Sequence, residues 1–284
     1  MTPAPAALLL LALLVVGCSS APGGPSAEPS ADPSPATSAP EASPRESVTR
    51  ARAVPLAPAE GECYPLSFDQ AVAPTARIAP TACRETHTAE TFHVGRLERV
   101  VDGRLLAVDS RRVQEQMART CPRLLPELVG GTEEQRRLSM LRSVWFTPTL
   151  GQSDAGADWI RCDAVALARD GELLALTGSL AGALDTEPGR ARYGMCGTAE
   201  PGTADFQRIA CSRAHTWRAL RSVTLPGPDY PGAGPAQQAG EEPCRAAARA
   251  VAPDPLEFRW SYEFPTVEQW QAGQDYGLCW APQS

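Results

Sequence analysis

The sequence predicts an α+β fold built as two tandem, disulfide-stapled modules, each a small, mostly antiparallel sheet with one or two helices, behind a disordered tether. Three observations carry this. Eight cysteines beyond Cys18 form two sets with matching spacings. Short strand-like runs mix with a few helical stretches and show little strict βαβ alternation. Residues 18–58 contain almost no core-forming side chains.

The N-terminus comes first. Ala6–Val16 is an apolar run of 11 residues, too short to cross about 30 Å of hydrocarbon as a helix but of h-region length. Residues 1–17 are therefore expected to be a signal peptide. The run ends in Val15-Val16-Gly17-Cys18, which resembles the bacterial lipobox and implies cleavage before Cys18 with a diacylglycerol on its sulfur. The opening "MTPAP" has no Lys or Arg, a departure from the usual basic n-region. Residues 18–58, rich in Ser, Pro and Ala, cannot bury enough surface to offset the entropy of ordering them. Such a linker reaches roughly 120 Å at ~3.1 Å per residue. The expected address is the extracytoplasmic face of the cell membrane, lipid-anchored; the expected partners are the membrane through that anchor and cell-wall polymer or envelope proteins.

Composition narrows the rest. All 26 cationic residues are Arg, and the net charge is −7. Scattered Arg on a mildly acidic chain gives no electrostatic footprint for nucleic acid, which is set aside as a partner.

Cys63, Cys83, Cys121 and Cys162 are separated by 20, 38 and 41 residues, and Cys196, Cys211, Cys244 and Cys279 by 15, 33 and 35. An even cysteine count in an exported chain points to disulfides. Cys83 and Cys211 both open Cys-x-x-x-His-Thr. The stretch before Cys162, "WFTPTLGQSDAGADWIRC", aligns with "YEFPTVEQWQAGQDYGLC" before Cys279. The alignment pairs Phe146 with Phe264, Pro148 with Pro265, Gly156 with Gly273, Asp158 with Asp275 and Trp159 with Tyr276. Two homologous modules follow, 59–186 and 187–284.

Within each module the elements run in one order. Strand patterns "TAETFHVGRL" and "TWRALRSVTL" follow the Cys-x-x-x-His frames. Helical stretches "DSRRVQEQMARTC" and "EEPCRAAARAVA" carry the third cysteine, the first capped by Asp109 or Ser110 and the second with Pro243 in its first turn. Late strands "WIRCDAVAL" and "YGLCWA" carry the fourth, and Asp170-Gly171 predicts a hairpin after the first of them. Four cysteines allow three pairings per module, nine for the pair. The favoured set is Cys63–Cys83, Cys121–Cys162, Cys196–Cys211 and Cys244–Cys279, in which one bond closes a short loop and the other staples helix to strand.

The repeated His87 and His215 admit three readings. Half a zinc site would need thiolates, which an oxidising exterior consumes as disulfides. A catalytic Cys–His pair needs a free thiolate for the same reason. The structural reading is a turn in which imidazole bonds a leftover backbone group, so no metal, cofactor or catalytic residue is expected. Trp145, Trp217, Trp260 and Trp270 read as core or interface rather than a sugar platform, and His93 as a strand surface residue.

Gly61, Cys63, Cys83, His87 and Glu90 in the first module, and Cys196, Cys211, His215, Cys244, Pro265, Thr266, Trp270, Gly273, Cys279 and Trp280 in the second, resemble the septum formation domain of actinobacterial envelope proteins. The likeness covers roughly residues 57–284 as two copies. Arg218 replaces the Glu after the second His, and Gln152 and Ser153 stand near where the first copy lacks Trp270. The resemblance implies a membrane-attached, outward-facing protein with a part in cell division. The expected function is a non-catalytic binding or scaffold component near the septum; the alternative is an extracytoplasmic enzyme or sensor acting on wall polymer, whose mark would be an acidic cleft with paired carboxylates of shifted pKa.

Overall fold

A computed structural model describes residues 53–75 and 77–283. The expected signal peptide 1–17, the acylated Cys18 and most of the 18–58 linker lie outside the described residues.

The first half begins with β1 (Cys63–Tyr64), α1 (Phe68–Ala71) and β2 (Ala89–Arg96). A small separate hairpin follows, β3 (Val100–Val101) and β4 (Arg104–Leu105). Next come α2 (Arg111–Val129), α3 (Glu133–Arg137), β5 (Leu141–Phe146), α4 (Leu150–Asp154), β6 (Trp159–Arg169) and β7 (Glu172–Leu173). A 3-10 turn at Ala183–Asp185 leads into α5 (Glu187–Tyr193). The second half continues with β8 (Met195–Gly197), β9 (Arg208–Ala210), β10 (Trp217–Thr224), α6 (Ala233–Val251), β11 (Ser261–Glu263), α7 (Val267–Gln271) and β12 (Tyr276–Pro282).

The halves repeat one strand order: β1-β2-β6-β5 in the first and β8-β10-β12-β11 in the second. All pairings are antiparallel. Cys63 faces Glu90 as Cys196 faces Arg218, and Cys162 faces His93 as Cys279 faces Arg221. The bulge between Thr91 and His93 recurs between Ala219 and Arg221. Thr149 with Gln152 and Thr266 with Gln269 form matching capping boxes at α4 and α7, each satisfying backbone N–H groups that the first helical turn leaves unbonded. One pairing from the sequence is corrected. Cys162 faces Trp145 and Cys279 faces Tyr262, so the counterpart of Phe146 is Glu263, one residue before Phe264.

The larger correction concerns the modules. They are not separate: ten strands form one sheet. β6 is 11 residues long and runs past its own half, where Arg169 pairs with Ile209 of β9. Beside it Met140 N–H donates to the Tyr193 carbonyl at 2.7 Å, and Met195 N–H to that of Leu138 at 2.8 Å. One apolar cluster runs from Val129, Leu141 and Ala166 through Met195 to Leu278 and Trp280. Two small sheets that each expose an edge and an apolar flank remove both liabilities by joining. Arg137 adds a polar clamp across the seam, bonding Asp275 at 3.1 Å and lying over the Tyr276 ring at 4.3 Å.

Helices α2 and α6 are longer than their sequence signals. α2 continues to Val129 through Pro122 and Pro126, and α6 starts at Ala233, which places Pro243 in its interior rather than its first turn. α6 buries Ala236, Gly240, Cys244 and Ala248, a stripe with helical spacing. Gly240 and Gly277 sandwich the Tyr262 ring so closely that a Cβ at either would overlap it. Gly240→Ala is therefore expected to destabilise the fold by about 1–3 kcal/mol through overpacking, offset in part by about 1 kcal/mol of helix propensity. A denaturant midpoint at or above that of the unmodified protein would contradict this.

Candidate functional site

The cysteines and histidines of the repeated frames sit together as scaffold. Disulfides join Cys63–Cys83, Cys121–Cys162, Cys196–Cys211 and Cys244–Cys279, with Cα separations of 5.2, 5.4, 4.9 and 4.9 Å. The second bond of each half ties a 19-residue helix to the central strand. His87 Nδ1–H donates to the Glu85 carbonyl at 2.8 Å, and His215 Nδ1–H to the Arg213 carbonyl at 2.7 Å. The same turn thus recurs, with His87 fully buried and His215 half-buried. Among the described residues, no group of three or more His, Cys, Asp or Glu is placed to hold a metal ion.

Of the four tryptophans singled out in the sequence, one is buried and three are half-buried. Trp217 is buried, Trp145 Nε1–H donates to Gln114 at 3.1 Å, Trp260 lies under Arg245, and Trp270 meets Tyr230 edge-on at 5.8 Å.

Two places hold unusual charges. The first is inside the first half, on the face of β6 opposite Cys162. Arg161 and Asp163 are 3% and 0% exposed and stand 2.9 Å apart. The pair is in ionic contact but out of line for a hydrogen bond, leaving Arg161 Nη2 and Asp163 Oδ2 without one. Thr91 Oγ1–H donates to the other carboxylate oxygen at 2.7 Å, and the guanidinium lies between the rings of Tyr64 and Phe146, 3.9 and 4.4 Å from their centroids. The counterparts in the second half are Leu278 and Trp280, both buried and apolar.

Burial pushes the Asp163 carboxyl up from 3.8 to about 6, although Arg161 and Thr91 pull it down. The folded protein then holds this proton more tightly than the unfolded chain. Between about pH 4 and pH 6 the group's contribution to stability falls as pH rises. Stability of the unmodified protein minus that of Asp163→Asn should decline across this window; a flat or rising difference would contradict it. Sealed from solvent, Asp163 is a structural carboxylate.

The second place is open. Where the halves join, a cleft of about 770 Å³ is walled by the start of β5, the β6–β7 turn, the approach to β9 and the end of β11. Six charges face it: Arg142, Arg169, Arg208, Asp170, Glu172 and Glu263. Arg208 pairs with Glu263 at 3.2 Å, and Glu172 takes Arg169 at 2.8 Å and Arg213 at 2.5 Å. Burial pushes the Glu263 carboxyl up while Arg208 pulls it back. Phe206 forms an apolar wall, its ring edge-on to the buried Trp280 at 5.3 Å. Neither half has this cleft alone. Arg142 and Arg208 belong to no repeated motif, and Glu263, within the repeated stretch before Cys279, stands where the first half has the apolar Phe146, so the repeat does not mark the three as a site.

A family profile described as Septum formation matches residues 61–279. No curated protein and no solved structure matches the chain.

Proposed function

The chain belongs to the septum formation family, and from that premise we propose that it is a lipid-anchored cell-envelope component in which two tandem copies of one unit form a shared binding cleft. It acts as a non-catalytic binding or scaffold protein for cell-wall polymer or an envelope partner during septum formation. The observation that carries this reading is the seam cleft, built jointly by both halves and lined by cations and carboxylates largely paired with one another. Equal strand order, the recurrent bulge and the matching capping boxes support two copies of one ancestral unit. Four disulfides suit an oxidising, extracytoplasmic compartment. No helix among the described residues is long and apolar enough to cross a membrane, and Cys18 supplies the anchor in this reading.

A second reading, an enzyme acting on wall polymer, draws on the raised carboxyl of Glu263 in the same cleft. Against it, Glu263 and Glu172 are both held by arginines, an arrangement suited to orienting charge rather than transferring protons. Two experiments separate the readings. Incubating purified wall sacculi with the protein should give co-sedimentation without released fragments, whereas fragment release would favour the enzyme. Depleting the protein should alter septation; unchanged septa and wall morphology would remove the division role.

A further inference from the structure

Arg142 differs from the other arginines of the cleft. Its Nη1–H groups donate to the carbonyls of Ser139 at 2.9 Å and Leu141 at 2.7 Å, which fixes the plane of the guanidinium. No carboxylate of the described residues lies within ion-pair distance of it. Nε and Nη2 make no hydrogen bond to any described residue, and neither is sealed by them from solvent. The side chain is half-buried. A cation taken largely out of water normally acquires a counter-charge, and here Arg169 and Arg208 have theirs while Arg142 does not. Its cationic form is disfavoured chiefly by burial, which Tyr276 opposes and the neighbouring Arg208 reinforces to a smaller extent. An anion delivered from solution would relieve both effects.

We propose that the seam cleft binds a compact oxyanion, a carboxylate or a phosphate group, on the Nε and Nη2 edge of Arg142. That edge presents two parallel N–H groups, the geometry that carboxylates and phosphates accept in bidentate fashion. The pre-fixed plane reduces the ordering cost of binding. Phe206 and Leu167 offer an apolar flank for the carbon skeleton that bears the anion. Glu172 and Glu263, already engaged by arginines, disfavour a ligand of high negative charge and favour a single anionic group. The inference rests on the cleft being the binding site, and names the chemistry it selects.

The test uses full-length protein and two probes, an acetylated dipeptide with a free C-terminal carboxylate and glycerol 3-phosphate. Each is titrated while the Arg142 Nε–H resonance is followed. At least one probe is expected to saturate below about 10 mM, moving that resonance, and the one that does so identifies the source of the anion. Arg142→Met should weaken it about tenfold or more, Arg142→Lys by less, and Arg104→Met, on the separate β3–β4 hairpin, not at all. If Arg142→Met fails to fold, the resonance shift and Arg142→Lys decide the matter. Absence of saturation with both probes, or equal affinity in a folded Arg142→Met protein, overturns the proposal. Sacculus binding is scored separately. If it persists in Arg142→Met while neither probe binds, the anion site falls and the binding function stands; if the unmodified protein ignores sacculi yet binds a probe through Arg142, the reverse holds.

Discussion

Replacing Arg161 with alanine is expected to lower the stability of the folded region by about 3–5 kcal/mol at pH 7, the range for removing one partner of a buried ion pair. Among the described residues the guanidinium is the one cation paired with Asp163, whose carboxyl is fully buried. Its loss strands that carboxyl without a counter-charge and empties the slot between Tyr64 and Phe146. A loss of this size is a large part of the ~5–15 kcal/mol that holds a typical domain together. Replacing both charges with leucine should behave differently, ending close to the unmodified protein, because an apolar pair of suitable volume escapes the desolvation cost. The second half already carries that solution in Leu278 and Trp280. Urea midpoints for the single and double replacements check both statements. A double replacement as damaging as Arg161→Ala would mean that packing, rather than the orphaned charge, sets the loss.

Replacing Cys121 and Cys162 together with serine is expected to cost about 4 kcal/mol, the chain-entropy value for a loop of this length. The bond closes a separation of 41 residues and fastens α2 to the middle strand of its half. Because the halves share one core, the damage should not stay local: the melting transition of the whole folded region should fall by roughly 10 °C. Scanning calorimetry reads this directly. A shift below about 2 °C would show that the non-covalent packing of α2 suffices.

The cysteine frames, the strands beside them and the helices bearing the third cysteine were legible in the sequence because covalent spacing and apolar alternation are local signals. The joining of the sheets was not. It depends on the pairing of Met140 with Tyr193 and of Arg169 with Ile209, contacts between distant segments that no periodicity encodes. The buried charges left a trace: in "WIRCDAVAL" Arg161 and Asp163 share one face of a strand otherwise apolar on both sides. The capping boxes were also visible, as "TLGQ" and "TVEQ". Arg142 was not, since its significance lies in the carboxylate it lacks, and a missing partner is a property of three-dimensional placement.

The joining of the halves into one sheet and one core, on which the seam cleft depends, is tested most directly by hydrogen exchange measured by mass spectrometry across a urea series. Peptides covering β6 in the first half and β12 in the second should lose protection together, at one urea concentration. Loss of protection in β12 at a clearly lower urea concentration than in β6, with the first half still intact, would show two independent modules and leave the cleft without its shared walls.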